Sequence, residues 1–463
     1  MYVTVLCYPN SCSVSKWAAP FGGIAIHSSC AFRIGSRRWY SYKSVRRPNL
    51  GATSVPKVEP PKEQPEESSK AESGHGSLAK QLRAKILATG PIPVAEYMRE
   101  VLTNPQAGYY MNRDVFGREG DFITSPEISQ IFGELVGIWL VSEWRKMGSP
   151  SPFQLVELGP GRGTLARDVL KVLTKFKQDA EFSMHMVEVS PFLSKAQAQR
   201  FCYSHQTLPE DAQQPHYQEG TTASGTKAFW HRRLEDVPQG FSLVLAHEFF
   251  DALPVHKLQL VDGKWQEVLI DVASSDGAED AGFRYVLSRS QTPVSSLYRP
   301  MPGETRSCLE HSLETERQVG LLAERIERDG GIALIMDYGH FGEKTDTFRA
   351  FKQHKLHDPL LEPGSADLTA DVDFKLVRHI AETRGNIHCC GPVEQGLFLQ
   401  RMQGEARLEQ LLAHALPENQ EIIRSGYEML TDPAQMGSRF KFLAMFPGVL
   451  APHLDKYPIA GFS

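Results

Sequence analysis

Short apolar runs alternate along this chain with segments whose apolar residues recur every three or four positions. A short apolar run bounded by polar residues is typical of a buried strand, whereas the wider spacing is typical of a helix. The pattern predicts strands at 155–158, 182–190, 228–234, 242–246 and 331–336. It predicts helices at 78–88, 94–102, 128–147, 165–170 and 315–329. This alternation indicates an α/β fold with a doubly wound, parallel sheet, whose ligand crevice lies at the carboxyl ends of the strands.

Other segments add to this sheet. The helices before residue 150 predict an N-terminal helical cap region over 78–150, ahead of a sheet domain over 151–463. Residues 265–272 and 283–288 alternate apolar and polar positions around an acidic turn, which predicts an inserted antiparallel hairpin. Residues 203–226 are polar and contain several Pro and Gly, so we expect a loop or an insertion there.

A glycine-rich turn follows the first predicted strand. Gly159, Gly161 and Gly163 alternate with other residues, and Glu157 stands two positions before the first glycine. Glycine serves in such a turn because the backbone adopts positive φ and passes close to a ligand, which a Cβ atom would prevent. Strand, turn and helix in this order predict a site for a nucleotide-like ligand.

The glycine spacing distinguishes two classes of ligand. A dinucleotide fingerprint has its third glycine five positions after the first, but Gly163 lies four positions after Gly159 and Thr164 occupies the next place. A pyrophosphate prefers a helix N-terminus without a nearby carboxylate, whereas S-adenosylmethionine (SAM) carries an amino group and a sulfonium that Glu157 can face. The pattern Glu-x-Gly-x-Gly-x-Gly resembles the first motif of SAM methyltransferases, so the turn favours SAM over a nicotinamide or flavin dinucleotide. A glycine turn that binds no ligand is the structural alternative.

An acidic residue also ends the second predicted strand. Glu188 lies 25 residues after Gly163, close to the place where these folds bind the ribose hydroxyls. A carboxylate can accept hydrogen bonds from both hydroxyls, so we expect Glu188 to hold the ribose of SAM. The alternative is a cap for the next helix, which Ser190 and Pro191 could provide by themselves.

Further carboxylates follow the later strands, and their convergence predicts one active site. Glu248 and Asp251 come just after the strand at 242–246, and Asp337 follows the strand at 331–336. Glu248 and Asp251 could hold a guanidinium by charge-assisted hydrogen bonds and orient one nitrogen for attack on a methyl group. A salt bridge or a loop cap is the alternative. We expect no metal, because Asp251 stands where a zinc-binding helix would need a second histidine after His247.

Asp121 is a further candidate for cofactor contact. The following residues have a structural explanation as the start of the helix at 128–147: Ser125 as N-cap, Pro126 at the first helical position and Glu127 in the first turn. Helix capping does not explain Asp121, so we include this residue in the predicted SAM site.

The first forty residues have the composition of a mitochondrial transit peptide. No Asp or Glu precedes Glu59, but eight Lys and Arg residues do, among many serines. We expect residues 1–40 to be the transit peptide and residues 41–77 to be a disordered linker, rich in Pro, Glu and Ser. A basic arm that binds nucleic acid is the alternative at this end.

The charge of the remaining chain argues against nucleic acid as a partner. Removing the four basic residues of the transit peptide from the total of 50 leaves 46 against 55 acidic residues. An acidic body repels phosphates and suits a basic protein or peptide. The seven cysteines show neither metal spacing nor a disulfide framework, which fits a reducing compartment. We also expect no membrane span, because no apolar run reaches about 20 residues.

Several sequence blocks together resemble the MidA family, in particular its vertebrate mitochondrial members. They are Thr89–Ile92, Ala95–Met98, Gly120–Glu127, Glu157–Thr164, Glu248–Val255, Asp337–Gly339 and Asp367–Ala370. The resemblance extends from about residue 78 to the end, with His247 at a position where the family has Asn or His.

The resemblance implies a SAM-dependent protein arginine methyltransferase of the mitochondrial matrix. It also implies symmetric dimethylation of an arginine in a core subunit of complex I during early assembly. By matching motif, the loop from Glu157 to Gly163 and Glu188 bind SAM. Two alternatives stay open from the sequence: an assembly chaperone that kept the fold without the activity, and a nicotinamide or flavin oxidoreductase. Homo-oligomer formation also stays open.

Overall fold

The computed structural model describes residues 69–111, 123–177, 179–209, 211–273 and 282–463, with the backbone alone for 69–77. The helices of these residues are α1 (Ser69–Thr89), α2 (Val94–Thr103), α3 (Ser125–Ile128), α4 (Gln130–Lys146), α5 (Thr164–Phe176), α6 (Pro191–Phe201), α7 (Pro293–Leu297), α8 (Leu313–Asp329), α9 (Phe374–Arg384), α10 (Gln395–Arg401), α11 (Gly404–His414), α12 (Pro417–Thr431) and α13 (Ala451–Lys456).

The strands are β1 (Ile92–Pro93), β2 (Phe153–Leu158), β3 (Phe182–Val187), β4 (Cys202–Thr207), β5 (Gln218–Thr222), β6 (Lys227–His231), β7 (Ser242–His247), β8 (His256–Val261), β9 (Lys264–Val272), β10 (Phe283–Leu287), β11 (Cys308–His311), β12 (Gly331–His340), β13 (Arg349–Lys352), β14 (Lys355–His357), β15 (Asp367–Thr369), β16 (Val372–Asp373), β17 (Ile387–Glu394) and β18 (Phe440–Pro447). All five strands predicted from the apolar runs are present.

One large sheet carries the carboxyl-terminal strand ends that form the site. Its order is β17-β18-β12-β7-β2-β3-β6-β5-β4, with the short β16 beside β12. The five central strands β12, β7, β2, β3 and β6 are parallel, so their carboxyl ends meet at one edge. The sheet is nevertheless mixed, because β18 runs antiparallel to both β12 and β17. An apolar period predicts a strand but not its direction, so the sequence did not reveal this reversal.

Helices cover both faces of the large sheet. On one face α4 packs so closely on α5 that its glycines leave no space for a side chain. A Cβ atom at Gly133 would lie 2.8 Å from Asp168 Cβ, and one at Gly137 would lie 2.9 Å from Val172 Cβ. On the other face α8 and α9 bury their apolar sides against the sheet. The helix α4 belongs to the core of the sheet domain, as the helical spacing of its apolar residues predicts.

The N-terminal helices pack on a second, smaller sheet. Its order is β1-β9-β8-β11, with β10 beside β9. The predicted hairpin is β9 and β10, antiparallel from Phe283 opposite Val272 to Leu287 opposite Val268. Apolar residues of α1 and α2 share a core with this sheet and with the strands β13 and β15. The N-terminal helical extension and the inserted hairpin thus form one layer.

Three local predictions differ from the structure. Residues 203–226 hold most of the edge strand β4 and all of β5 where a loop or an insertion was predicted. The sequence did not reveal β4 because most of it is exposed and polar and shows no apolar alternation. The long helix does not begin at Ser125: α3 breaks after four residues, and the Ser129 hydroxyl accepts a hydrogen bond from the amide of Ile131 to cap α4. The helix α1 begins at Ser69, nine residues before the predicted start.

The described part of the chain contains no helix that is both long and apolar enough to cross a bilayer.

Replacing Phe442 of the reversed strand β18 should strongly destabilise the fold. Its ring is fully buried and stacks on Phe398 with 4.3 Å between ring centroids. We expect Phe442→Ala to lower the free energy of unfolding by about 3–5 kcal/mol in a denaturant titration. The control Val449→Ala, at a side chain that is 76% exposed, should change it by less than about 0.5 kcal/mol. A loss below about 1 kcal/mol for Phe442→Ala would contradict this packing.

Candidate functional site

The glycine turn is the first wall of the site. It joins β2 to α5, and Gly159, Gly161 and Gly163 have φ of +61°, +52° and +73°. These values lie in the left-handed region, which glycine adopts without the cost that a Cβ imposes. At Gly159 there is also no space for a side chain, because a Cβ would lie 2.9 Å from the Phe249 ring. The positive φ values are as predicted, and the contact with Phe249 is a second reason for glycine at position 159 that the sequence did not reveal.

The three glycines do not have equal places. Gly159 and Gly161 line a cavity of about 710 Å³ at the strand ends. Gly163 does not line it: this residue is the N-cap of α5, and its Cα faces Gln197 and Phe201. Gly163 therefore packs the start of α5, and its contact with the cofactor stays a prediction.

Glu157 lies beneath the glycine turn. Its carboxyl is 2% exposed, and the oxygen Oε2 has no hydrogen-bond partner. It lines a second cavity of about 40 Å³, which shares Gly159, Gly161 and Glu248 with the large one. Burial raises the pKa of Glu157 to about 8. A buried carboxyl without donors favours the neutral form until a cation reaches it.

Glu188 is linked to the glycine turn through Gln197. One Glu188 oxygen accepts a hydrogen bond from the amide of Ser190 at 2.8 Å, and the other accepts from Gln197 Nε2 at 3.0 Å. The same Gln197 nitrogen donates to the carbonyl oxygen of Gly161 at 2.7 Å. Burial raises the pKa of Glu188 to about 7, against the effect of these hydrogen bonds. Gln197 was not predicted, because it lies 36 residues from Gly161 in α6 and no local motif marks it.

Glu248 begins the loop after β7 in a strained conformation. Its φ of +48° is unusual for a residue with a side chain, and its amide donates to the carbonyl oxygen of Met336 at 3.0 Å. Burial raises the pKa of Glu248 well above its ordinary value, and the charges of Asp251 and Asp367 raise it further. Burial also lowers the pKa of the adjacent His247 to about 3. The 3.4 Å contact between the two side chains is therefore no ion pair at neutral pH.

Asp251 lies on the same loop and lines the large cavity with Glu248. Its Oδ2 accepts hydrogen bonds from the hydroxyls of Tyr338 and Thr369, the latter at 2.9 Å. Its Oδ1 is buried and has no partner. Burial raises the pKa of Asp251, and the two hydroxyl donors oppose that shift. The carboxyl is thus held by one oxygen and leaves the other for a ligand.

Asp337 holds the loop of Glu248 and Asp251 in place. Its Oδ2 accepts from the three consecutive backbone amides of residues 249–251, at 3.2, 3.0 and 3.4 Å. Its Oδ1 accepts from the amide of Tyr338 at 3.0 Å. Asp337 is fully buried and lines neither cavity. Its position at the end of β12 therefore serves to position the loop, not to contact a substrate.

Four carboxyl groups around the two cavities share one property. Glu127, Glu157, Glu248 and Asp251 each have one buried oxygen without a hydrogen-bond donor. Burying an acceptor without a partner costs free energy, and several such atoms facing connected cavities indicate that a cationic ligand completes them. Glu127 was assigned to helix capping from the sequence; its place in the smaller cavity, 3.4 Å from Arg162, was not predicted.

The structure brings Gly159, Gly161, Glu188, Glu248 and Asp251 to the large cavity and Glu157 to the smaller one. Asp121 lies outside the described residues. Within the described ranges no three His, Cys, Asp or Glu side chains are grouped as metal ligands.

These residues fit SAM. Two glycines allow the close approach of an adenosyl ligand, and orphaned carboxyl oxygens face the cavities where its cationic end would bind. A phosphate-bearing dinucleotide would instead bring anionic charge next to buried carboxyls.

Comparison with solved structures supports the fold. A protein of Burkholderia thailandensis, solved with S-adenosyl-homocysteine bound, matches with a TM-score of 0.65 and 22% identity, over 84% of this chain and 96% of that one. At this identity the likeness shows the fold alone, which is the predicted SAM-methyltransferase fold.

Sequence relatives cover most of the chain. The Drosophila melanogaster protein named "Protein arginine methyltransferase NDUFAF7 homolog, mitochondrial" is 96% identical over 433 residues, 94% of this chain and 99% of the relative. The human and Danio rerio proteins named "Protein arginine methyltransferase NDUFAF7, mitochondrial" are 48% and 47% identical, over 81% and 84% of this chain and 85% and 92% of their own. The chain is thus far more similar to the fly relative than to the vertebrate members that its motifs resemble.

A family model described as "Putative S-adenosyl-L-methionine-dependent methyltransferase" matches residues 135–393. This match covers more than half of the chain and includes the glycine turn and every described carboxylate of the predicted site. The chain therefore belongs to this family of SAM-dependent methyltransferases.

Proposed function

We propose that this enzyme is a protein arginine N-methyltransferase of the mitochondrial matrix. The observation that carries the proposal is the pair Glu248 and Asp251, two residues that line the SAM cavity and each have a buried carboxyl oxygen without a partner. The names of the fly, fish and human relatives support the arginine and the mitochondrion. The family resemblance adds symmetric dimethylation of a complex I core subunit in early assembly.

The cofactor end of the site is built from three elements. The glycine turn gives the ligand access to the backbone at Gly159 and Gly161. Glu157 would pair with the amino group of SAM, which supplies the cation that its buried oxygen lacks. Glu188, fixed by Ser190 and Gln197, would accept hydrogen bonds from the ribose hydroxyls. When bound, SAM supplies an electrophilic methyl group on its sulfonium.

The substrate end is the loop of Glu248 and Asp251. A guanidinium held between two carboxylates by charge-assisted hydrogen bonds has its plane fixed, so one nitrogen can be aligned with the methyl group. The carboxylates also stabilise the cation in a site with little water. Methyl transfer forms a nitrogen–carbon bond and breaks the carbon–sulfur bond, whose electrons go to sulfur. The nitrogen then loses a proton, which Glu248 is equipped to accept because its pKa is raised.

Gly159→Ala should abolish SAM binding measured by isothermal titration calorimetry. The new Cβ atom would lie 2.9 Å from the Phe249 ring, which is too close for the turn to keep its conformation. The matched control is Gly263→Ala, because Gly263 has a similar φ of +73° but no atom within 4 Å of its Cβ position. Gly263→Ala therefore has the backbone cost without the collision, and SAM affinity should stay within about twofold. Equal SAM affinity in the two variants would contradict the assignment of the turn.

The affinity for SAM should rise from pH 6 towards pH 8. Glu157, with a pKa of about 8 in the free protein, is protonated at pH 6 and must release a proton before it can pair with an ammonium. The affinity should increase by at most roughly tenfold per pH unit and stop rising near pH 8, where an α-amino group itself deprotonates.

Calorimetry in two buffers of different ionisation enthalpy would measure the proton released on SAM binding. The raised pKa of Glu157 also affects the stability of the protein without SAM. It stabilises the fold at low pH, and this contribution is lost as the pH rises towards 8. An affinity that is flat or falls between pH 6 and 8 would contradict the role of Glu157.

Glu248→Gln should lower turnover by roughly 100-fold or more, since the amide keeps the shape but loses the charge that holds the guanidinium. SAM affinity should remain within about twofold. The measurement is transfer of labelled methyl to arginine in complex I core subunits, with Glu421→Gln, an exposed position on α12, as control. A large loss of SAM binding in Glu248→Gln would contradict the assignment. If the unmodified enzyme transfers no methyl group, the chaperone alternative replaces the proposal.

A further inference from the structure

The charged residues that line the large cavity are acidic at its buried end and mostly basic at its exposed end. Among the buried lining residues the charged ones are acidic: Glu188, Asp251 and Asp367 are each at most 6% exposed, and we call these three the floor. The exposed lining residues are mostly basic, and we call them the rim. The rim consists of Arg99, Arg232, Arg233, Arg317, Lys344 and Arg439.

Half of the rim cations are already paired with carboxylates. Arg233 contacts Asp236 at 3.0 Å, and Arg317 contacts Glu314 at 2.7 Å. Lys344 contacts Asp371 at 2.6 Å. Each of these cations thus has a carboxylate partner within the chain, and Asp371 also contacts Arg349 at 2.7 Å.

The other three have no such balance. Arg99 in α2, Arg232 after β6 and Arg439 before β18 form no ion pair with any carboxylate among the residues that the structure describes. Arg232 lies over the Tyr217 ring at 4.7 Å, and the Tyr217 hydroxyl donates to the carbonyl oxygen of Glu188. Arg232 thus belongs to the cofactor end, which leaves Arg99 and Arg439 for the substrate.

This basic rim stands out on a chain whose formal net charge is −5. SAM has a single carboxylate, so it can neutralise at most one of the unpaired arginines. A substrate that places a guanidinium on the acidic floor must also pass its neighbouring residues across the rim. Flanking cations would be repelled there, whereas flanking carboxylates would be attracted.

We propose that the enzyme selects an arginine flanked by acidic residues, and that Arg99 and Arg439 read those flanking carboxylates. This inference rests on the proposed arginine methyltransferase function. Because Arg99 and Arg439 line the same cavity as the floor, the acidic residues would be near the target arginine in the substrate. Exposed charge pairs contribute modestly to affinity, but they steer association and exclude partners of the wrong charge.

The test compares three peptides that contain one arginine and differ only in its neighbours: Asp and Glu, Gln and Ser, or Lys. The measurement is kcat/KM for methyl transfer from labelled SAM by the full chain at constant ionic strength. We expect the acidic peptide to exceed the neutral one by roughly fivefold and the basic peptide to be the poorest.

Charge reversal separates recognition from folding. The double variant Arg99→Glu/Arg439→Glu should prefer the Lys-flanked peptide over the acidic one while binding SAM normally, which a misfolded protein cannot do. The control is Arg424→Glu, because Arg424 is exposed on α12 and does not line the cavity. This variant should keep the original preference.

Each outcome decides the inference. Equal kcat/KM for acidic and neutral peptides, or an acidic preference that survives in the double variant, would overturn it while the proposed function stands. If no peptide is methylated although SAM binds, the proposed function itself fails, and the inference fails with it.

Discussion

The site depends on carboxyl groups that have lost water without gaining a full set of hydrogen-bond donors. Parallel strands bring Glu157 and Glu248 to one edge of the sheet, and the loop after β7 adds Asp251. Each is enclosed by protein and keeps one oxygen without a donor. Burial raises the pKa of all three, so the free site has a desolvation cost that cationic ligands can relieve. A sulfonium cofactor and a guanidinium substrate are both cations of this kind.

Other side chains keep these carboxyls where they are useful. Asp337 accepts three consecutive backbone amides and thereby fixes the loop of Glu248 and Asp251. Gln197 joins Glu188 to the glycine turn and also accepts from Trp230 Nε1 at 2.8 Å. These two residues anchor the site to the sheet, so that its side chains are held with the precision that methyl transfer needs.

The sequence predicted the chemistry of the site better than its support. Glycine spacing, Glu157 and Glu188 were recognisable because one strand, turn and helix present them in a short segment. The roles of Gln197 and Asp337 depend on contacts between segments 36 or more residues apart, which no local pattern encodes. Asp337 was predicted to converge on the site and does so, but as a support for the loop. Glu127 was assigned to a helix cap, since a cap and a ligand contact use the same residue type.

The fold, like the site, was predictable where the signal is local and not where it depends on distant segments. The central strands were predictable because buried parallel strands are continuous apolar runs. The reversed strand β18 and the polar edge strand β4 were not, since strand direction and edge pairing are set by distant neighbours. The core position of α4 was predictable from its apolar spacing, but its close packing on α5 at Gly133 and Gly137 depends on a distant segment.

The most direct test is a crystal structure of the full chain with S-adenosyl-homocysteine and an arginine peptide. The account predicts guanidinium nitrogens at about 3 Å from carboxylate oxygens of Glu248 and Asp251, with the amino group of the cofactor product beside Glu157. A guanidinium bound away from this loop, or a cofactor amino group that does not approach Glu157, would contradict it.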